Sequence, residues 1–277
     1  NIFMRRLLII FPLILAIPGQ FVSAQSSAHK SAYLGFDRNL YPGDGAMVEL
    51  RKTFSFTGYW LSPPPGEKEN SWRGKHKFLG SQGFGFLVLY RGPLSRELVT
   101  DQAATQKGIA DARSAVAAAR QEGFRPHSTI FLDIEEGGRL TTPYHAYLRA
   151  WARELTRAGF RPGVYCSGIP VKETPGTTVT TADDIHTETP RFTFWVYNDS
   201  CPPSPGCDPQ KHPHRPSNGG VAYAKIWQFA QSPRRHEFTF ACASSYQSDG
   251  NCYSPTDTAK KWFLDLNSAS SPDPSSP

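Results

Sequence analysis

The sequence lacks the features that would place it among nucleic-acid-binding, zinc-binding or membrane-spanning proteins. Lysine and arginine form no block interleaved with aromatic residues, so a formal net charge of +6 does not indicate a nucleic-acid partner. No two cysteines have the Cys-x-x-Cys spacing of a zinc site. Beyond the N-terminal segment, no apolar run is long enough to cross a membrane, and no short repeat indicates a solenoid. These absences favour one globular domain, for which 277 residues provide a full core.

The N-terminal segment has the organisation of a secretory signal peptide. Residues 4–6 are basic, residues 7–17 are apolar, and residues 22–24 supply small side chains before a cleavage point. We therefore predict a signal peptide at 1–24 and a secreted mature protein, located outside the cell or in the periplasm or cell wall.

The five cysteines all lie in the predicted exported part. Cys201 and Cys207 form one close pair in a turn-rich segment, and Cys242 and Cys252 form another. An oxidising compartment favours a local disulfide within each pair. Cys166 lies in an apolar segment with no flanking histidine, which favours a buried thiol over a nucleophile.

Apolar segments alternate with helical patterns along most of the chain. Eight segments are predicted as strands: 32–37, 56–61, 83–90, 128–135, 162–167, 192–199, 224–229 and 262–267. Helices are predicted at 46–53, 72–82, 101–122, 143–158 and, more weakly, 182–189. Segment 200–222 is predicted to be a long loop, and the polar segment 268–277 a disordered tail.

This order predicts a single α/β domain at 25–267, folded as a (β/α)₈ TIM-type barrel. The last two crossovers have no clear helical pattern, which predicts an irregular barrel at that end. Because the strands of such a barrel end at one face, the acids at the ends of the predicted strands should meet at one mouth. These acids are Asp37, Asp133, Glu135, Asp199 and Asp265.

The segment 128–136 contains the acids on which a functional hypothesis depends. Asp133 and Glu135 are two residues apart on a strand, so their side chains should project to the same face. Repulsion and burial can keep one of two neighbouring carboxyl groups protonated while the other stays charged, as cleavage of a glycosidic bond requires. An isolated Asp-x-Glu is nevertheless a weak motif, and both acids could simply solvate or cap a loop.

Aromatic and amide side chains at the same strand ends are candidates for substrate binding. Rings offer apolar faces to the C–H side of a sugar, and polar side chains accept or donate hydrogen bonds to its hydroxyl groups. The candidates are Tyr59, Tyr90, Tyr165, Tyr197, Asp199, Trp227 and Gln228. Core packing is the alternative for each ring, most strongly for Trp227 and Trp195.

Six segments of the chain form a recognisable set: Gly35-Phe-Asp37, Tyr41-Pro-Gly-Asp44, Phe131-Leu-Asp-Ile-Glu135, Pro162-Gly-Val-Tyr-Cys-Ser167, Trp227-Gln228 and Asp265-Leu-Asn267. Together they resemble the bacterial glycoside-hydrolase-like domain, which was first catalogued as a domain of unknown function and is similar to the family-25 lysozymes. The resemblance implies an eight-stranded barrel that hydrolyses the β-1,4 bond after N-acetylmuramic acid in peptidoglycan. It implies that Glu135 is the general acid and that Asp133 polarises the substrate's N-acetyl group. It also implies that Asp37 and Asp265 shape the electrostatics of the site.

The sequence leaves three functions open. The first is a secreted glycosidase acting on peptidoglycan or another cell-envelope polysaccharide, without a cofactor or a bound metal. The second is a non-catalytic barrel that binds the same glycan. The third is a barrel whose clustered carboxylates hold a divalent cation.

Overall fold

A computed structural model describes residues 32–189, 191–198, 215–230 and 264–277. Several sequence predictions lie outside these residues: the signal peptide at 1–24, the site residue Asp199, and the disulfide cysteines Cys201, Cys207, Cys242 and Cys252.

Eight strands close into a barrel, as predicted for an α/β TIM-type fold. They are β1 (Tyr33–Asp37), β2 (Phe56–Trp60), β3 (Gly85–Arg91), β4 (Thr129–Asp133), β5 (Arg161–Ser167), β8 (Thr193–Tyr197), β9 (Ile226–Ala230) and β10 (Asp265–Ala269). Their order around the barrel is β1, β10, β9, β8, β5, β4, β3, β2. Several strands are buried along their whole length, as expected for strands covered by helices.

The eighth barrel strand runs against its neighbours. β10 is antiparallel to both β1 and β9, whereas the other barrel strands pair in parallel. The sequence predicted irregularity at this end of the barrel but not a reversed strand. Because antiparallel neighbours need no helical crossover, the weak helical pattern before β10 suits this geometry. The first residue of β10, not its last, therefore lies at the mouth where the parallel strands end.

Among the described residues, five helices lie between the strands: α1 (Asp44–Leu50), α2 (His76–Ser81), α3 (Asp101–Glu122), α4 (Thr142–Arg157) and α5 (Thr181–Glu188). The two longest helices have recognisable end signals. The side chain of Thr100 caps α3, and Gly123 ends it in the left-handed conformation with φ of 88°. Thr141 caps α4, and Pro143 lies in its first turn.

A short hairpin follows β5 and was not predicted from the sequence. Its strands are β6 (Val171–Thr174) and β7 (Thr177–Val179), which pair antiparallel and are largely exposed. Pro175 and Gly176, with φ of 86° at the glycine, form the turn. A Pro-Gly pair between two β-branched runs is the sequence pattern that could have revealed it.

The prediction of a disordered tail at 268–277 is wrong. Ser268 and Ala269 complete β10 and are buried. The backbone N–H of Phe86 donates to Asp273 Oδ1 at 2.8 Å, and the N–H of Val88 donates to Ser275 Oγ at 2.9 Å. Pairing of β3 with β4 begins only at Val88, so the backbone N–H groups at the start of β3 need other partners. The polar side chains of Asp273 and Ser275, in the segment whose composition suggested disorder, are these partners.

Candidate functional site at the barrel mouth

Asp37 and Asp265 face each other at the mouth of the barrel. Asp37 is the last residue of β1 and is buried, while Asp265 is the first residue of β10 and is half-buried. The two are register partners in the antiparallel β1–β10 pair, so their side chains leave neighbouring positions on one face. The reversed direction of β10 thus brings its acid to the mouth that the sequence predicted.

Two amide side chains hold the carboxylate of Asp37. Gln228 donates from Nε2 at 2.9 Å and Asn267 donates from Nδ2 at 2.7 Å, both to Oδ1. Both amides are buried. Hydrogen bonds to an ionised acceptor are stronger than neutral ones, so this arrangement fixes the orientation of the carboxylate.

Aromatic side chains fix the amides in turn. The hydroxyl of Tyr165 donates to Gln228 Oε1 at 2.9 Å, and the indole of Trp195 donates to Asn267 Oδ1 at 2.8 Å. The rings of Tyr165 and Trp195 meet edge to face with centroids 4.7 Å apart. The resulting network joins β5, β8, β9, β10 and β1, and so connects opposite sides of the mouth.

Asp133 lies at the mouth at the end of β4, and Glu135 follows it in the chain. Asp133 is the last residue of that strand, is buried, and is the register partner of Tyr165. Its backbone carbonyl accepts from the N–H of Gly92 at 3.0 Å. Glu135 lies two residues further on, in the loop after the strand, and is exposed.

The phenol of Tyr165 lies within the electric field of all four acids. Burial raises the pKa of this phenol well above its usual value, and four negative charges raise it further: those of Glu135, Asp37, Asp133 and Asp265. The strand pairing independently groups three of these acids, since Asp37 is the register partner of Asp265 and Asp133 is the register partner of Tyr165.

Tyr197 belongs to the same face of the barrel. It ends β8, two residues after Trp195, and is the register partner of Gln228. Successive side chains of a strand alternate between faces, so Tyr197 and Trp195 share the inner face. The structure thus groups Tyr165, Tyr197 and Gln228 with the predicted acids.

Tyr59 does not join this group. A Cβ added at its neighbour Gly58 would lie 2.6 Å from the Cβ of Asp37, so Gly58 faces the mouth and Tyr59 faces outwards. Its hydroxyl donates to Glu122 of α3 at 2.5 Å, and its ring packs against Trp72. The strand position was predicted correctly, but the face was not.

Tyr90 and Trp227 also lie on the outer face. The ring of Tyr90 packs against Trp151 of α4 at 5.4 Å between centroids. The indole of Trp227 donates to the carbonyl of Asn198 at 2.9 Å, and its ring lies against Gly219. For these two rings and Tyr59, the core-packing alternative is the correct one.

Asn267 is the site residue that the sequence did not single out. It lies two residues after Asp265 on β10, and this spacing placed it on the face of that acid. Asn267 could have been identified without knowing the direction of β10, because side chains alternate between the two faces of a strand in either direction. Trp195, predicted to belong to the core, is buried and also supports Asn267.

Within the part of the chain that the structure describes, no group of three or more His, Cys, Asp or Glu side chains could hold a metal ion. The same residues include no helix long and apolar enough to cross a membrane. Cys166 is buried with its thiol free, and burial raises the pKa of that thiol.

Comparisons place this fold beside known domains. Residues 64–200 match the family model of the Rv2525c-like, glycoside hydrolase-like domain. An uncharacterized protein of B. stearothermophilus has a similar structure, with a TM-score of 0.54 and 20% identity over 86% of this chain and 95% of that one. The Mycobacterium tuberculosis Tat-secreted protein Rv2525c has a TM-score of 0.51 and 15% identity over 88% of this chain and 97% of its own. No curated protein matches the sequence.

Proposed function

We propose that this chain, which carries an Rv2525c-like, glycoside hydrolase-like domain, is a secreted glycosidase that cleaves β-1,4 bonds of peptidoglycan or a related cell-envelope glycan. The observation that carries the proposal is the grouping of Asp37, Asp265 and Asp133 at one end of the barrel: Asp37 is the register partner of Asp265 and is linked through Gln228 to Tyr165, which is the register partner of Asp133. Glu135 follows Asp133 by two residues. Glycoside hydrolysis proceeds through a transition state with positive charge on the sugar ring, which a group of carboxylates stabilises.

In the proposed reaction, Glu135 is the general acid. Its exposed position at the mouth gives a polymeric substrate access to its proton. The proton passes to the glycosidic oxygen as the bond to the anomeric carbon breaks. Water then supplies hydroxide to that carbon, and its remaining proton restores the acid.

The other three acids have supporting roles in this proposal. Asp133, buried beside Tyr165, would orient and polarise the N-acetyl group of the substrate. Asp37, held by two amide donors, and its neighbour Asp265 would stabilise the positive charge of the transition state. Tyr165 and Tyr197 would form the aromatic wall of the cleft.

Replacement of Glu135 tests the proposed acid. We expect Glu135→Gln to reduce the release of reducing ends from purified peptidoglycan by about 10²–10⁴-fold, because general acid catalysis contributes that much. Glu49→Gln is a matched control, since Glu49 is an exposed acid of α1 that pairs with Lys52 at 2.7 Å. Equal rates for the Glu135 variant and the wild type would rule out the acid role.

A non-catalytic glycan-binding barrel is the second candidate. The exposure of Glu135 favours it, because burial is a common means of keeping a catalytic carboxyl group protonated. Such a protein would sediment with insoluble cell wall and release no reducing ends. Sedimentation and product release, measured on the same sample, distinguish the two functions.

A further inference from the structure

The loop that carries Glu135 has little order of its own. Residues 134–141 connect β4 to α4 without a helix or a strand, and they include Gly137 and Gly138. Gly138 has φ of 76°, a conformation that suits glycine. Ordering the residues of such a loop costs backbone conformational entropy, so contacts from elsewhere must hold Glu135 in place.

The first contacts are made by Glu136 and Gly138. The side chain of Glu136 accepts from the backbone N–H of Ser95 at 2.6 Å. The hydroxyl of Thr181, at the start of α5, lies within hydrogen-bond distance of two carbonyls of the loop, 2.9 Å from that of Gly138 and 3.2 Å from that of Glu136. The contacts of Thr181 fix the middle of the loop to α5, and the bond of Glu136 fixes it to the segment at Ser95.

Asp184 makes the strongest set of contacts with the end of the loop. It lies one turn further along α5, and its side chain is 3% exposed. Its Oδ1 accepts from Arg139 Nη1 at 2.9 Å, and its Oδ2 accepts from the backbone N–H of Leu140 at 2.9 Å. His145 Nε2, in the first turns of α4, lies 2.9 Å from the same Oδ2.

Arg139 extends the contact to the hairpin of β6 and β7. Its guanidinium binds Glu173 of β6 through Nε at 2.6 Å and through Nη2 at 3.0 Å. One arginine of the acid-bearing loop is therefore held by a buried carboxylate on one side and by the hairpin on the other.

We propose that Asp184 is the positioning residue for Glu135: it fixes the loop 134–141 so that the acid of the proposed reaction stays at the mouth. The inference rests on the proposed function for its catalytic consequence, but its structural part does not. An ion pair with an exposed partner such as Arg139 adds little net stability, so stability alone gives a weak reason for this carboxylate. Precise placement of a reacting group, by contrast, changes rates strongly, since a displacement of about 1 Å can cost about 10²-fold.

Asp184→Asn tests the proposal with little change of shape. Asparagine keeps one acceptor oxygen, but its amide nitrogen cannot accept from the second donor. We expect kcat to fall by about 10–100-fold while KM stays within about twofold, because the glycan would still bind in the cleft. We also expect the backbone amides of 135–140 to exchange hydrogen at least about tenfold faster.

Two further variants make the test decisive. Glu188→Gln is the matched control, since Glu188 lies on the same helix and pairs with the exposed Arg149 at 3.1 Å, away from the loop. It should leave both kcat and the exchange rates at wild-type values. Arg139→Gln removes one donor from the network at an exposed side chain, so it keeps the fold if Asp184→Asn does not. It should raise exchange across 135–140.

The outcomes separate this inference from the proposed function. Unchanged exchange at 135–140 in both loop variants would overturn the positioning role, whatever the activity. A wild-type protein that does not hydrolyse glycan would overturn the proposed function, and the exchange comparison would still decide whether Asp184 orders the loop. Equal losses of kcat in Glu188→Gln and Asp184→Asn would also contradict the proposal, because general destabilisation would then explain both.

Discussion

At the scale of single residues, the site depends on how a buried negative charge is compensated. Asp37 receives two N–H donors, from Gln228 and Asn267, and each amide is oriented by an aromatic donor behind it. A buried polar network of this kind is stabilising when each member is satisfied and costly when one is removed. The network therefore couples the fold of the barrel to the geometry of its mouth.

Asn267→Leu should reveal this coupling. The change removes a donor to Asp37 and the acceptor of the Trp195 indole, and each unsatisfied buried group costs about 1–3 kcal/mol. We expect the free energy of unfolding in urea to fall by roughly 2–6 kcal/mol from these two losses. Asn39→Leu, at an exposed side chain that donates to the carbonyl of Pro65, should change it by less than about 0.5 kcal/mol. Similar effects of the two variants would contradict the network.

Cys166 provides a second prediction at this scale. Burial raises the pKa of its thiol, and only the thiolate reacts readily with alkylating reagents. We expect iodoacetamide at pH 8 to leave Cys166 unmodified in the folded protein and to modify it after unfolding in guanidinium. Peptide mapping by mass spectrometry measures both. Modification of the folded protein at the rate of a free thiol would show that the strand is accessible.

At the scale of elements, side-chain alternation decides which aromatic rings reach the mouth. Tyr165 and Tyr197 lie on the inner face of their strands, whereas Tyr59, Tyr90 and Trp227 lie on the outer face.

The segment after β10 stabilises the barrel although it is neither a helix nor a strand. Asp273 and Ser275 accept hydrogen bonds from the backbone of β3. Ser275 also accepts from the N–H of Thr129 in β4 at 2.8 Å, so the segment joins two strand starts.

The pH dependence of stability tests the role of Asp273. Burial raises the pKa of this carboxyl group above its usual value, so the folded state binds its proton more tightly than the unfolded state does. The charged form therefore destabilises the fold, by an amount that grows as pH rises above about 4 and is complete above the folded pKa. Asp273→Asn keeps an acceptor for the N–H of Phe86 and removes the charge.

We expect Asp273→Asn to raise the melting temperature at pH 7 and to match the wild type near pH 3. Thermal unfolding followed by circular dichroism between these pH values measures the difference. A variant that is less stable than the wild type at pH 7 would mean that the charge of Asp273 is favourable, and would contradict this account.

At the scale of the whole molecule, sequence patterns predicted the barrel and the place of its acids. Apolar runs of strand length between helical patterns were sufficient for the fold, and strand ends located Asp37 and Asp133. Asp265, predicted near the end of a parallel strand, is instead the first residue of the reversed β10. The direction of β10 could not be predicted, because alternation is the same in either direction. The order of 270–277 could not be predicted either, since it depends on unpaired groups of β3 that are distant in sequence.

Whether an aromatic side chain faces the inside or the outside of the barrel also cannot be predicted from its own strand alone. Tyr59 and Tyr165 have similar apolar surroundings in sequence, and only the register with neighbouring strands separates them. The contacts of Asp184 with the loop after β4 join residues 44 positions apart in sequence, so no local pattern indicates them.

The central claim, that the acid-lined mouth cleaves glycan, is tested most directly by analysing the products of purified peptidoglycan after incubation with the wild-type protein. Liquid chromatography with mass spectrometry identifies the soluble fragments and the sugar at each new reducing end. The account predicts disaccharide-containing fragments that end in reducing N-acetylmuramic acid. An intact polymer, recovered with the protein bound to it, would contradict the claim.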